Sequence, residues 1–349
     1  MKYKVLLDGL MIGTGSGGDA SYVLNLAQSL VKSPDFEPWI AVTKFGANIA
    51  DHENLPYIVA SGPRVLGPLS ISSVARRLHP DVIHTQYFPA MGTSAPVVTT
   101  IHDMGFVKMK ASFSLAQKIK LQVAVSRSLR RASTIIVVSQ KSYDDLVNVA
   151  PDYADKIAII PNGISLAKYN RSTTPINSIS PYILWIGNDE PRKNLQRLLY
   201  AYKKSKDEWP SLRLLVAGKI SLMGCQAINS VGGESLGFVS YNKVVDLIYG
   251  ATGLVYPSLF EGFGFPPLEA LACGIPSVVH RELPLCDYVR RGLYGVDATS
   301  IQELTEAILR LRYLEWTREE LVQEAGKLSS ERTRDLTTDV YRNAIRLTS

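Results

Sequence analysis

Cysteine is scarce in this chain: Cys225, Cys273 and Cys286 are the only three in 349 residues, and they stand far apart. An odd, scattered set excludes a disulfide framework and a cysteine-based zinc site, and it points to a reducing compartment. No apolar run approaches the ~18 uninterrupted residues that a membrane-spanning helix needs. Short-period repeats and low-complexity tracts are missing as well. The opening MKYKVLLDGLMIG is basic and then apolar, but Asp8 breaks the run after three apolar residues. It reads as a first strand rather than a signal peptide.

Another gap is local. Residues 104–143 hold no acidic side chain, yet they contain Lys108, Lys110, Lys118, Lys120, Arg127, Arg130 and Arg131. Within them SFSLAQKIKLQVAVSRSLRRA alternates basic and apolar faces at helical spacing. Such a helix either packs its apolar face on a sheet, which is the preferred reading, or makes peripheral contact with an anionic membrane through residues 108–131. It lacks the interleaved aromatics that stack bases, so no nucleic acid is expected as a partner. The whole chain carries a net charge of +6 with a pI near 9.0, which favours anionic partners of some kind.

What is present is ordinary globular material, 46% hydrophobic and 20% charged, in a length that suggests two domains. Short apolar runs alternate with helical ones. KVLLDG, PWIAVTK, PYIVA, DVIHTQ (81–86), PVVTTIHD (96–103), TIIVVSQ (134–140) and KIAIIP (156–161) are strand candidates of the first half. YILWIGN, LRLLVAG, SLGFVS (235–240), GLVYPS (253–258) and PSVVH (276–280) repeat the scheme, with helices near 193–206, 241–250 and 267–273. From about residue 300 the chain reads as wholly helical. The expected class is α/β: two Rossmann-like, doubly wound parallel-sheet domains facing a cleft, with a helical C-terminal segment. The boundary falls in the polar, Pro- and Ser-bearing NRSTTPINSISP (170–181). It divides residues 1–170 from residues 171–330, with 331–349 as a C-terminal helix.

Four clusters fall at carboxyl ends of strands, where ligands of open α/β sheets bind. GTGSGGDAS (13–21) offers Gly15, Gly17 and Gly18 for close backbone approach ahead of a helix. Its spacing is not the dinucleotide fingerprint, so a nicotinamide cofactor is not expected. IHDMGF (101–106) places His102 where it could serve acid–base work, sugar contacts or neither, and His84 occupies a similar strand end. WIGNDEPRKNLQRLL (185–199) sets Arg192 and Lys193 at a helix start. Cations there oppose the helix dipole unless an anion is shared, and Glu190 could instead pair with Arg192. The fourth, YPSLFEGFGFPPLEALACGIPSVV (256–279), reads strand, glycine loop, helix, strand, with Glu261 in the loop and Glu269 in the first helical turn. Glu269 either accepts hydrogen bonds from neutral hydroxyls, such as those of a ribose, or complements the dipole.

That last block resembles the signature of glycosyltransferase family 4, a retaining, GT-B-fold family with two glutamates eight apart around a glycine-aromatic loop. IGNDEPRKNL is similar to its phosphate-binding turn and LGFVSYNKVVDLIYGA to its base-binding strand and helix, while TIHDM, VVSQKSYDDL and IIPNGI resemble its first-domain and hinge motifs. The likeness covers residues 3–315. It implies a transferase moving a hexose, mannose among the candidates, from a UDP- or GDP-linked sugar to a glycan or lipid-linked acceptor; the cysteine usage places it in the cytoplasm, and the basic 108–131 stretch allows the inner face of a membrane. Residues 1–170 would take the acceptor side and 171–330 the donor, with 331–349 crossing back to the first domain. Glu269 would bind the ribose. Glu261, with the amides of Gly262, Phe263 and Gly264, would hold the sugar. Lys193 and, more weakly, Arg192 would bind the diphosphate. Gly17 and Gly18 would approach the donor, the Val239 backbone would face the base, and His102 would sit beside the sugar. Neither metal nor cofactor is expected, since nothing resembles an Asp-x-Asp site. A catalytically silent partner protein and a sugar-nucleotide epimerase of the same fold are the alternatives. The pattern departs at Ser21 and Asn188, where members often carry arginine, and at Leu285, where they often carry glutamate.

Overall fold

The computed structural model describes residues 2–14, 17–60, 67–109, 114–169, 180–313 and 315–348. Gly15, Lys110 and most of the 170–181 linker, including the expected boundary at 170/171, lie outside them. The chain forms two compact units, residues 1–163 with 330–349, and residues 164–329. No helix among the described residues is long and apolar enough to cross a membrane.

Unit 1 is built on seven strands: β1 (Tyr3–Asp8), β2 (Phe36–Val42), β3 (Tyr57–Val59), β4 (Val82–Gln86), β5 (Val97–Ile101), β6 (Thr134–Val137) and β7 (Ile157–Ile159). Their order is β3-β2-β1-β4-β5-β6-β7, with every pairing parallel. Parallel sheets are covered on both faces, so their strands run apolar rather than alternating. β4 and β5 are buried throughout although they carry His84, Thr85, Gln86, Thr99 and Thr100. Four of those polar groups satisfy one another: the Thr85 and Thr99 hydroxyls lie 2.9 Å apart, and His84 Nε2 lies 2.7 Å from Thr100 Oγ1. The Ser330–Arg346 helix belongs to this unit and closes the network, its Tyr341 hydroxyl standing 2.5 Å from His84 Nδ1 and its ring edge-on to Phe36. Burial pushes the His84 imidazole down to about 3, so it is neutral at ordinary pH.

Unit 2 holds β8 (Tyr182–Ile186), β9 (Arg213–Ala217), β10 (Glu234–Gly237), β11 (Gly253–Tyr256), β12 (Ser277–His280) and β13 (Leu293–Val296), all parallel in the order β10-β9-β8-β11-β12-β13. Trp185, Leu198, Tyr202, Val216, Val255 and Ile308 share its core. β13 was not expected: LYGV is short and split by a glycine. β10 ends at Gly237, leaving Phe238 exposed beyond it. Past residue 300 the described chain is helical at Ile301–Arg310, Arg318–Gly326 and Ser330–Arg346.

Both orders place consecutive crossovers on opposite sides of one strand pair. A ligand crevice opens outside the carboxyl ends at such a switch. It lies between β1 and β4 in unit 1, and between β8 and β11 in unit 2.

Candidate active site

In unit 2 the loops leaving β8 and β11, the two strands of the switch, carry Arg192, Lys193 and Glu261. The segment after β8 does not enter an α-helix directly. Pro191–Lys193 form a 3-10 turn, Asn194 adopts the left-handed conformation at φ 60°, and the helix proper is Leu195–Glu208. Asparagine tolerates that backbone region better than most residues. Its buried amide donates to Pro257 O at 3.1 Å and to Ala298 O at 2.7 Å, while Leu259 N donates to Arg192 O at 2.8 Å. The two loops are thereby stitched together.

The stitching brings both cations onto one carboxylate. Lys193 Nζ donates to Glu261 Oε1 at 2.6 Å, Arg192 Nη1 to the same oxygen at 3.2 Å, and the Tyr256 hydroxyl at 2.9 Å. Arg192 Nε also donates to Glu190 at 2.9 Å. Helical spacing suggests that the two cations diverge and that Arg192 is left to Glu190 or solvent. The tight turn corrects this, because Arg192 reaches Glu190 and Glu261 together. It also corrects the view that the cations oppose a helix dipole, since neither lies inside the helix. Burial alone would raise the Glu261 carboxyl, but Lys193, then Arg192, together with the hydrogen bonds from Lys193 and Tyr256, hold it below its ordinary value. Burial would lower the Lys193 ammonium, and Glu261 together with Tyr256 more than reverses that. Burial, reinforced by Glu261, pushes the Tyr256 phenol up to about 12. The cluster thus combines two cations, one anion and a neutral phenol.

The loop that follows is shaped for close approach. Gly262, Phe263 and Gly264 are buried, and their amides find no acceptor among the described residues. Gly264 sits at φ 120°, where a side chain would be strained and would press on Leu283. From there the helix runs Phe265–Ala272 and starts two residues before the expected point. Pro266 and Pro267 fall inside its first turn, where their missing N–H groups cost nothing. Glu269 is consequently in the second turn, which corrects its first-turn placement and weakens the dipole explanation for it.

Glu269 stands apart from the cation cluster, among tyrosines. It is buried, and Tyr169 donates to its Oε1 at 3.1 Å. Tyr169 is in turn bonded to the Tyr241 hydroxyl, and its carbonyl accepts from Tyr249. Glu269 Oε2 takes no hydrogen bond among the described residues. Burial lifts this carboxyl above its ordinary value, while Tyr169 and Lys168 offset the rise in part. Between the two values the folded protein holds a proton that the unfolded chain has lost, so stability falls as pH rises through that window. Glu269→Gln is accordingly expected to raise the melting temperature at neutral pH by roughly 2–4 °C, as about 1 kcal/mol would. The same change should weaken any ligand held by the carboxylate. Melts across the acid-to-neutral range check this, and a lower melting temperature at neutral pH would contradict the buried-charge cost.

Of the remaining site residues, Val239 lies half-buried between β10 and the Tyr241–Gly250 helix, after Gly237 at φ 65°. Gly17, Gly18 and His102 belong to unit 1. The two glycines open the Gly17–Val31 helix and are exposed, and a side chain added at either would meet nothing. His102 Nε2 lies 2.7 Å from Gln86 Oε1 and 3.8 Å from Asp19. Gln86 donates its own amide to Asp8 O, which turns its oxygen toward His102 and fixes Nε2 as the donor. Nδ1 is left as an acceptor. Ser21 lies in the first helix, Asn188 donates to Glu190 at 2.9 Å, and Leu285 is fully buried. Tyr169, Tyr241, Tyr256 and Asn194 were not singled out from the sequence. A tyrosine ending the strand that leads to Glu261, and an asparagine just before a helix, were the available signals for two of them.

The family model for glycosyl transferases group 1 matches residues 168–328, and that for glycosyltransferase family 4 matches residues 16–168. O-antigen chain mannosyltransferase B of Escherichia coli is 27% identical over 229 residues, 61% of this chain and 60% of that protein. O-antigen chain mannosyltransferase RfbU of Salmonella typhimurium is 26% identical over 253 residues, 65% of this chain and 69% of that one. The match to the first therefore spans less than two thirds of its length. Among solved structures, Anabaena HepE in complex with UDP and glucose superposes with a TM-score of 0.76 at 18% identity, covering 98% of this chain and 100% of that one. At that identity the likeness shows a shared fold.

Proposed function

From a chain that belongs to glycosyltransferase family 4, we propose a transferase that moves a hexose from a nucleoside diphosphate sugar to a glycan or lipid-linked acceptor, with retention and without a metal. The observation that carries it is the convergence of Lys193 and Arg192 at the switch of the second sheet, beside three amides that find no acceptor among the described residues. A dianionic diphosphate suits the two cations, and sugar hydroxyls suit Glu261 and the amides of Gly262, Phe263 and Gly264. A ribose diol suits the open oxygen of Glu269, and the backbone at Val239 suits a base. Within unit 1, His102 Nδ1 is an acceptor that suits a hydroxyl. Mannose is favoured because two relatives are mannosyltransferases, and a UDP-linked donor is the competing choice because HepE binds UDP. Three cysteines, odd in number and scattered along the chain, favour a cytoplasmic setting.

Breaking the anomeric carbon–oxygen bond builds charge on the departing diphosphate, and preorganised cations stabilise charge where it develops. In a same-face attack the acceptor oxygen forms the new bond to the anomeric carbon, and the departing phosphate oxygen takes the acceptor's proton. The donor terminates at the cation pair, so its release is the primary readout. Incubation with UDP-, GDP- and ADP-sugars should yield free nucleoside diphosphate from one class, and the same nucleotide should raise the melting temperature. Release from none of them, with no stabilisation by any nucleotide, would overturn the reading.

A further inference from the structure

We propose that the first half of the Leu115–Arg131 helix is a docking surface for an anionic phospholipid bilayer. None of its residues lies in unit 2, so the inference stands or falls separately from the donor assignment.

Burial divides this helix in two. In its second half Ala124, Val125, Ser128 and Leu129 are buried, and Val125 and Leu129 pack with Ile101, Phe106 and Ile135. That half is the sheet-packed helix preferred from the sequence. In the first half Leu115, Ile119 and Val123 are 72%, 52% and 40% exposed. They stand four residues apart, and at about 100° per residue they form one stripe roughly 80° wide. A helix serving its own core alone would carry polar residues there. The stripe is also preformed. Ser114 caps the helix reciprocally with Gln117, at 3.2 and 2.8 Å, so its outermost turn is ordered without a partner.

The chemistry around the stripe selects the occupant. Lys120, Arg127 and Arg130 are exposed, Lys118 is half-buried, and Lys120 Nζ stands 5.6 Å over the Phe88 ring. With no acidic side chain from residue 104 to 143, nothing in the segment neutralises these cations. A second copy seated on this face would bring like charges together. A nucleic acid would gain from the cations but nothing from Leu115, Ile119 and Val123. Anionic headgroups take the ammonium and guanidinium groups while the aliphatic side chains enter the acyl boundary, which uses both features at once.

Flotation of the full chain with vesicles of phosphatidylcholine, alone or mixed with phosphatidylglycerol, tests this. Binding to the mixed vesicles should be at least about tenfold stronger and should weaken with salt. Lys118→Ala with Lys120→Ala should reduce it roughly thirtyfold. A Leu115→Ser, Ile119→Ser, Val123→Ser variant should lose about tenfold or more while binding nucleoside diphosphate normally. In an Ile119→Trp variant the indole emission should shift to the blue on the anionic vesicles. Equal binding to both vesicle types, no binding, or an unshifted emission would each overturn the proposal. So would self-association of the lipid-free protein that the triple serine variant abolishes, which would give the stripe to a second copy.

Discussion

Lys193→Ala should cut transfer by ~100- to 1000-fold, the effect of removing one preorganised stabilising group from a site of developing charge. The ammonium is buried and held charged by Glu261, so it can face a diphosphate without a protonation step. The fold should survive, because Glu261 would keep Arg192 and Tyr256 as partners. Arg192→Ala should do less. Its guanidinium is divided between Glu190 and Glu261, at the longer 3.2 Å to the latter. Turnover of both variants, measured side by side with EDTA present, separates the outcomes. A Lys193→Ala enzyme with half its activity would sink the assignment, and wild-type activity that vanishes with EDTA would sink metal independence.

Glu261→Ala is expected to be the more damaging change to stability. Removing one partner from a buried ion cluster leaves uncompensated charge, at a cost of about 3–5 kcal/mol for a fully buried pair. Arg192 is partly hydrated and keeps Glu190, so about 3 kcal/mol is expected here, or roughly 6–12 °C in melting temperature for a unit of this size. The same vacancy should make the site more receptive to anions, because Lys193 and Arg192 would then have a phosphate as their natural counter-ion. Inorganic pyrophosphate or the nucleoside diphosphate should therefore stabilise the variant by more degrees than the wild type, while turnover falls. An unchanged melting temperature, or a smaller gain from pyrophosphate than in the wild type, would contradict the cluster's electrostatics. Glu269→Gln should behave in the opposite sense, stabilising the free protein and losing nucleotide.

The sequence was most readable where one local rule dominated. Apolar runs bounded by Gly and Pro located every strand except β13, and the order strand, glycine loop, helix, strand around Glu261 followed from Gly262, Gly264 and the two prolines. It was least readable where a single backbone angle decides the geometry. Asn194 at φ 60° converts an expected helix start into a tight turn, and that turn alone lets Arg192 and Lys193 share an oxygen. Gly264 at φ 120° likewise moves the helix start back to Phe265 and Glu269 into the second turn. Tyr169 lies 100 residues from Glu269 and 72 from Tyr241, so no pattern in either segment announces the pairing. The Leu115–Arg131 helix shows the same limit: its periodicity was plain, but which turns meet the sheet is a property of the fold.

The Ser330–Arg346 helix carries a consequence for how the protein is made. Tyr341 fills the space between Phe36 and His84, and Thr333 donates to Pro161 O at 2.8 Å, yet the whole of unit 2 intervenes between these partners in the chain. On the ribosome unit 1 emerges first but lacks the piece that covers its buried histidine. At ~5–20 residues per second, the intervening stretch takes roughly 10–30 s to synthesise. Unit 2 is contiguous in sequence and faces no such wait. The nascent chain is thus expected to complete its second unit before its first, and to hold the first in an unfinished state, with Phe36 and His84 uncovered, until the final helix arrives.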